Sequence, residues 1–209
     1  MNELDWSLPA SITKFLMHDH IYSRKHLKSS LPDIKNRDTE LEPEFNQLVG
    51  SHFRRCTYFQ KLTLMGAKQF LQTLGVPLKW NKKTHLLFST GTGNFVDLER
   101  YAKCIFSESY GIASPMAFAS SVGNSVFGNL GKVLGIDSDT FLDAIALGDA
   151  EFGLKCAVEA AEDILSQNLS AQVLIGYTNA IQNSTVLLDG STEKEVILEE
   201  GSRWILLQT

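Results

Sequence analysis

Phe141-Leu142-Asp143-Ala144-Ile145-Ala146-Leu147-Gly148-Asp149 is the stretch on which the reading of the fold turns. Phe141 to Leu147 is apolar but for Asp143, the pattern of a strand buried on both faces of a sheet. Gly148-Asp149 then leads into a helix whose apolar face holds Phe152, Leu154, Cys156, Ala157, Ala160, Ala161 and Ile164. Asp149 at that turn suits an N-cap.

The same punctuation recurs on either side. Thr84-His85-Leu86-Leu87-Phe88-Ser89 predicts a buried strand opening onto Gly91-Thr92-Gly93, and Asn94 or Asp97 starts a helix through Leu98, Tyr101, Ala102 and Ile105. Ahead of it, Phe59, Leu62, Thr63, Gly66, Phe70, Leu71 and Leu74 fall at helical spacing, stopped by Gly75 and Pro77. Ser121 to Leu134 is apolar and small, with Gly123, Gly128 and Gly131 permitting close helix packing. Val173–Tyr177 and Trp204–Leu207 read as two further strands. Strands alternating with helices predict an α/β domain built on a mostly parallel layered sheet of four to five strands, helices covering its faces.

The first fifty residues are less regular. Leu8-Pro9-Ala10-Ser11 predicts a short helix through Phe15, Leu16 and Met17, whereas Ser29 to Glu44, with two prolines and many charges, reads as a loop. The expected organisation is therefore an irregular segment, 1–50, before a single α/β domain, 51–209.

Composition narrows the functional classes. Apolar residues make up 44% and charged residues 21% of the 209, an ordinary globular balance. The net charge of −5 argues against a general phosphate-backbone binder, so nucleic acid is not an expected partner. Arg24-Lys25-His26-Leu27-Lys28 is a local basic run that reads as a solvated face. Cys56, Cys104 and Cys156 form no CxxC pair and no even set, which supports neither a zinc ribbon nor a disulfide framework. The acidic start Met1-Asn2-Glu3-Leu4-Asp5-Trp6 lacks an apolar signal core, and no apolar run nears the roughly 20 residues of a membrane span. A cytoplasmic protein is expected.

From Arg54 to Leu207 four segments, in order, resemble the amino-terminal half of the β-ketoacyl synthases, members of the thiolase superfamily. Phe53-Arg54-Arg55-Cys56-Thr57-Tyr58-Phe59-Gln60-Lys61-Leu62 looks like the family's "R-R-x-D-R-F" start to a long helix. Ser114-Pro115-Met116-Ala117-Phe118-Ala119-Ser120-Ser121-Val122-Gly123-Asn124, followed by Gly128, is similar to its "S-P-x-x-F/V-x-x-S-V-x-N-x-x-x-G" segment. Val173-Leu174-Ile175-Gly176-Tyr177 looks like the "D-V-M-I-A-G-G" strand, and Glu200-Gly201-Ser202-Arg203-Trp204-Ile205-Leu206-Leu207 the "E-G-A-A-A-L-V-L" strand. The resemblance implies a thiolase-like half-fold.

The departures from the family pattern matter as much. Active synthases place a cysteine where the central strand turns into a helix, because the helix amino terminus lowers the thiol pKa and the turn presents the sulfur to an acyl thioester. Counting from Leu134-Gly135-Ile136, Leu147 takes that position, and leucine accepts no acyl group. The family's two active-site histidines lie in a carboxy-terminal half that this sequence does not contain, and nothing before Arg54 matches the family's "V-V-I-T-G-x-G" first strand. Short synthase-like proteins and chain length factors, including those of aryl polyene pathways, share the missing cysteine.

What the resemblance implies is a non-catalytic, chain-length-factor-like subunit pairing with an active β-ketoacyl synthase in fatty acid, polyketide or aryl polyene biosynthesis, with acyl carrier protein as a further partner. Phe141, Leu142, Asp143, Ala144 and Ile145 would form the dimer interface, while Met116, Phe118 and Asn124 would line an acyl or partner pocket. A half-fold would also leave an apolar surface to be covered. Two alternatives remain open. One is a homodimer that binds an acyl group or acyl carrier protein. The other is an acyl-thioester enzyme using another nucleophile, with Asp149, Glu151 and Cys156 as candidates.

Other features carry less. Cys156 reads as a small core residue. Cys56 and His52 stand four apart, but two ligands make no metal site, and His18, Asp19, His20 and His26 cluster only in an irregular segment. Gly91-Thr92-Gly93-Asn94 fails the dinucleotide fingerprint because residue 96 is Val96. No metal or cofactor is expected.

Overall fold

The computed structural model describes residues 8, 10–27, 30–53, 55–75, 80, 84–90, 94–106, 115–121, 123–136, 141–146, 150–167, 171–181 and 197–209. Side chains at 116, 117, 123, 124, 141–146, 150, 151 and 197 are outside that description. In chain order the elements are α1 (Ala10–Thr13), β1 (Leu16–Leu27), α2 (Ile34–Leu48), α3 (Tyr58–Thr73), β2 (Thr84–Thr90), α4 (Phe95–Phe106) and α5 (Pro115–Ser121). A 3-10 turn (Gly123–Val126), α6 (Phe127–Leu134), β3 (Phe141–Ala146), α7 (Ala150–Gln167), β4 (Gln172–Asn179) and β5 (Ile197–Gln208) follow.

The five strands form one sheet in the order β1-β5-β4-β2-β3. β2 runs parallel to β3 and β4, while β5 runs antiparallel to both β4 and β1. The two antiparallel ladders are the longer ones, so the expectation of a mostly parallel sheet is corrected to a mixed sheet in which antiparallel pairing predominates. The cause is β5. Eleven of its residues pair with β1, a strand that has no apolar alternation and was not foreseen.

The central strands read as apolar runs because each buries both faces. Leu86, Phe88, Leu174, Trp204 and Leu206 point to one side, where they meet Leu62, Met65 and Phe70 of α3 and Leu130 and Leu134 of α6. Leu87, Val173, Ile175, Tyr177, Ile205 and Leu207 point to the other, against Leu154, Ala157, Val158, Ala161 and Leu165 of α7 and Ile12 of α1. Helix starts and stops follow local chemistry. Thr57 and Gln60 form a reciprocal capping box at the start of α3, and Gly135 ends α6 in the left-handed conformation with φ of 67°.

The first fifty residues depart most from expectation. The amino-terminal helix stops at Thr13, and Leu16 and Met17 belong instead to β1. The segment read as a loop becomes α2, capped by Asp33, whose side chain accepts from Asn36 N at 2.8 Å. Pro43 lies inside that helix. Both elements are held by tertiary contact: Leu41 and Phe45 of α2 enter the core beside α3, and Tyr22 of β1 is buried there too.

A buried carboxylate ties these early elements to the last strand. Glu200, 1% exposed, accepts from Tyr58 OH and from His26 Nε2 (2.8 Å) on one oxygen. Its other oxygen takes Arg37 Nη1 (2.6 Å) and the Ile181 backbone N–H (3.1 Å). Arg37, itself fully buried, also donates to the carbonyls of Ile181 (2.8 Å) and Pro32 (3.1 Å). One acid therefore joins β1, α2, α3, β5 and the end of β4's continuation, with every site on it occupied. A second cluster, Lys61 Nζ with Asp38 (2.7 Å) and with Glu42, clamps α2 to α3.

Candidate partner-facing site at the open sheet edge

β3 is an end strand. Its only strand neighbour is β2, with Phe141 opposite His85 and Ala146 opposite Thr90, so its far side faces no strand among the described residues. Its strand character is legible in the sequence: Phe141–Ala146, six residues apolar but for Asp143, is too short for a core helix and too apolar for a loop. Its backbone carries the five residues assigned to an interface, Phe141, Leu142, Asp143, Ala144 and Ile145, along one open edge.

The carboxyl end of β3 lines up with those of β2 and β4, since Thr90 pairs with both Ala146 and Thr178. The turn that would hold a nucleophile, Leu147 to Asp149, lies outside the described residues, as do Gly91 to Gly93. Ser89 sits one residue before the end of β2, fully buried, its Oγ without a hydrogen-bond partner among the described residues.

Next to this end, α4 and α5 pack on each other with their apolar sides only partly covered. Tyr101 and Phe118 are in ring contact at 5.5 Å. Asn94, at the start of α4, accepts from the N–H groups of Asp97 (2.9 Å) and Leu98 (3.0 Å) through its carbonyl and donates its side-chain amide to Ser120 O at the end of α5. No residue of α4 is buried, though Phe95, Leu98, Tyr101, Ala102 and Ile105 recur at helical spacing. Phe95, Leu98, Ile105 and Phe106 are exposed, and so is Phe118, at 53%. Asp97 lies at the foot of this pair, and burial raises its pKa against a hydrogen bond from Thr57 and the charge of Arg100, both of which lower it.

The other assigned residues scatter. Met116 and Asn124 lie on α5 and on the 3-10 turn, their side chains outside the description, as is the side chain of Glu151; Asp149 is not described. Cys156 is a half-buried free thiol on α7, beside the core-facing residues Ala157 and Val158. Cys56 is buried and accepts from Asn129 Nδ2 at 3.5 Å; burial pushes its thiol up to about 11, despite the opposing pull of Lys61. His52 precedes α3 in a turn, its ring against Phe53 at 4.2 Å, so it shares no helix face with Cys56. In β1 the strand's alternation parts Asp19 from the histidines. His18 and His20 turn toward α3, to Thr73 (2.8 Å) and Gln69 (3.3 Å), while Asp19 turns away to a bidentate pair with Arg203, 2.9 Å at Nε.

Sequence reasoning missed Arg37, Tyr58 and His26 around Glu200. The only local signal was the position of Glu200 ahead of Gly201; its partners come from segments 26, 37 and 58, and nothing in their spacing joins them.

No protein-family model matches the chain, and no curated protein matches it in sequence. Solved structures do match. The ishigamide ketosynthase/chain length factor aligns with a TM-score of 0.61 at 10% identity, over 91% of this chain and 62% of that one. A type II PKS acyl-carrier protein in complex with its ketosynthase bound to the hexaketide (AntDE:AntF) aligns with a TM-score of 0.55 at 10% identity, over 93% and 58%. The ketosynthase ApeO in complex with its chain length factor ApeC, from Xenorhabdus doucetiae, aligns at 15% identity with a TM-score of 0.47, over 86% and 62%. The chain thus spans about three fifths of the length of the structures it matches. Among the described residues no helix is long and apolar enough to cross a membrane. At such identities the likeness is one of architecture: this chain has the thiolase-like fold of these ketosynthase and chain length factor structures.

Proposed function

We propose that this protein is a non-catalytic, chain-length-factor-like subunit that pairs through β3 with an active β-ketoacyl synthase in the cytoplasm, in fatty acid, polyketide or aryl polyene synthesis. The observation that carries the reading is the pairing of an open strand edge with a surface that is apolar but uncovered. β3 ends the sheet, and Phe95, Leu98, Phe106 and Phe118 on α4 and α5 are exposed where a monomer gains nothing from leaving them so. The similar solved structures are ketosynthase assemblies, one with its chain length factor and another with its acyl-carrier protein. On this reading Leu147 replaces the nucleophile, the subunit contributes no thiolate, and Met116, Phe118 and Asn124 shape the space in which the partner's acyl chain grows.

Co-expression with a full-length β-ketoacyl synthase and its acyl carrier protein tests this. A stable complex is expected, and Phe118→Ala should lengthen the product or broaden its distribution by removing an aromatic wall. A chain that captures no synthase, with product length indifferent to Phe118, would refute the proposal.

A further inference from the structure

The opposite edge of the sheet has its own complementarity. β1 ends the sheet at that side, and among the described residues no strand pairs with its outer edge. Strand alternation sends His18, His20, Tyr22, Arg24 and His26 to the face that carries α3. Asp19, Ile21, Ser23, Lys25 and Leu27 lie on the other face, where Ile21 is 44% and Leu27 51% exposed, while Met17 stands in a bulge between Leu16 and His18.

We propose that two copies of this chain join through β1, antiparallel and edge to edge, about a two-fold axis at Tyr22. Two antiparallel strands related by a two-fold axis normal to the sheet keep the same residues on the same face, and an axis through Tyr22 sets the register completely. Asp19 then faces Lys25 of the second copy, and Ile21 faces Ser23. Each acid meets a base, twice over by symmetry. Moving the axis one residue toward the amino terminus sets Asp19 against Ser23; moving it one the other way sets Lys25 against Ile21. Neither alternative pairs a charge with its opposite, so the sequence of β1 is self-complementary in one symmetric register only.

The charge pairing continues across the sheet. Within each chain Lys25 stands opposite Glu199 of β5, and Asp19 is held by Arg203, one position diagonal to its own partner Ile205. In the dimer these form an unbroken alternation, Glu199, Lys25, then Asp19 and Arg203 of the second copy, running across four strands. On the α3 side the residues brought together are His18 with His26, His20 with Arg24, and Tyr22 with itself. The three histidines are already engaged within the chain, with Thr73, Gln69 and Glu200, so the pairing there rests on backbone hydrogen bonds. Association through β1 leaves β3 free, and a chain bound to a synthase at β3 would thereby assemble as two heterodimers back to back.

The test uses the isolated chain, so it stands or falls separately from the pairing at β3. Sedimentation equilibrium should show a dimer with a dissociation constant in the micromolar range. Lys25→Glu, an exposed substitution that sets two acids face to face twice, should raise that constant by at least about tenfold. Mixing an Ile21→Cys chain with a Ser23→Cys chain should yield a disulfide-linked dimer that maps by mass spectrometry to those two positions. A chain that stays monomeric to about 100 µM, a dimer that ignores Lys25→Glu, or cross-links confined to β3 would each overturn the proposal.

Discussion

At the scale of single residues, the side chains that matter most for stability are polar. Glu200 is buried with a full set of donors, and Arg37 beside it is fully buried as well. Replacing two such charges by apolar groups together is often harmless, but removing one leaves the other without its counter-charge. Glu200→Leu should therefore lower unfolding free energy by about 3–5 kcal/mol in urea titration, and Glu200→Leu/Arg37→Met should recover much of that loss. If the double variant is as unstable as the single one, the burden lies in packing rather than in charge.

Titration adds a second prediction at this scale. Burial raises the Cys56 thiol from 9.0 to about 11, and burial likewise raises the hydroxyls of Tyr22 and Tyr58 above the ordinary 10.0. A group whose folded-state pKa is raised holds its proton more tightly in the native state. Its contribution is complete below the unfolded value and fades as pH rises through the folded one. Stability should therefore fall from about pH 9 upward, first through Cys56. Denaturant midpoints measured across this range should decline less steeply between pH 9 and pH 11 for Cys56→Ala. An unchanged slope would assign the alkaline loss to the tyrosines alone.

At the scale of elements, close approach is what the glycines supply. A Cβ on Gly66 would lie 1.8 Å from Ser202 Oγ, where α3 presses on β5, and Ser202 Oγ in turn donates to Leu62 O at 3.1 Å. Gly66→Ala should cost about 1–3 kcal/mol by forcing the two elements apart. Adding Ser202→Ala should relieve part of it, because the nearest remaining atom, Ser202 Cβ, is at 3.1 Å; a double-mutant cycle reads the coupling. Gly201 has a second constraint, φ of 150°, with Tyr22 O 2.0 Å from any added Cβ.

In α2, Pro43 removes an N–H from the helix interior, and Pro43→Ala should raise the melting temperature. The element-scale misreading in the sequence has the same root. Two prolines between 29 and 44 lower local helix propensity and the many charges leave few apolar residues to mark a period, yet Leu41 and Phe45 gain enough by burial beside α3 to form the helix regardless. β1 was hidden for a related reason. Its residues alternate between polar groups that bond to α3 and exposed side chains, so it lacks the period of an apolar strand.

At the scale of the whole molecule, both edges of the sheet are open among the described residues, and the two proposals assign one to each. They predict different dependences. Charge reversal at Lys25 should change the mass of the isolated chain and leave capture of a synthase intact; Phe118→Ala should change the product and leave self-association intact. Size-exclusion light scattering on the isolated chain and on the co-expressed complex separates the two.

The sequence by itself determined α3, β2, α4, β3, α7, β4 and the end of β5, because apolar strands and amphipathic helices write their burial into a period, whereas α5 was not foreseen. It also carried the four segments whose resemblance pointed to a ketosynthase-like fold. Tertiary structure alone decided the direction of β5, the existence of β1 and α2, and the carboxylate that fastens them. Strand direction depends on which neighbour an element meets, and a buried Glu200 depends on donors that reach it from residues 26, 37, 58 and 181. Those partners are far apart in the chain, and no local pattern encodes an encounter between them.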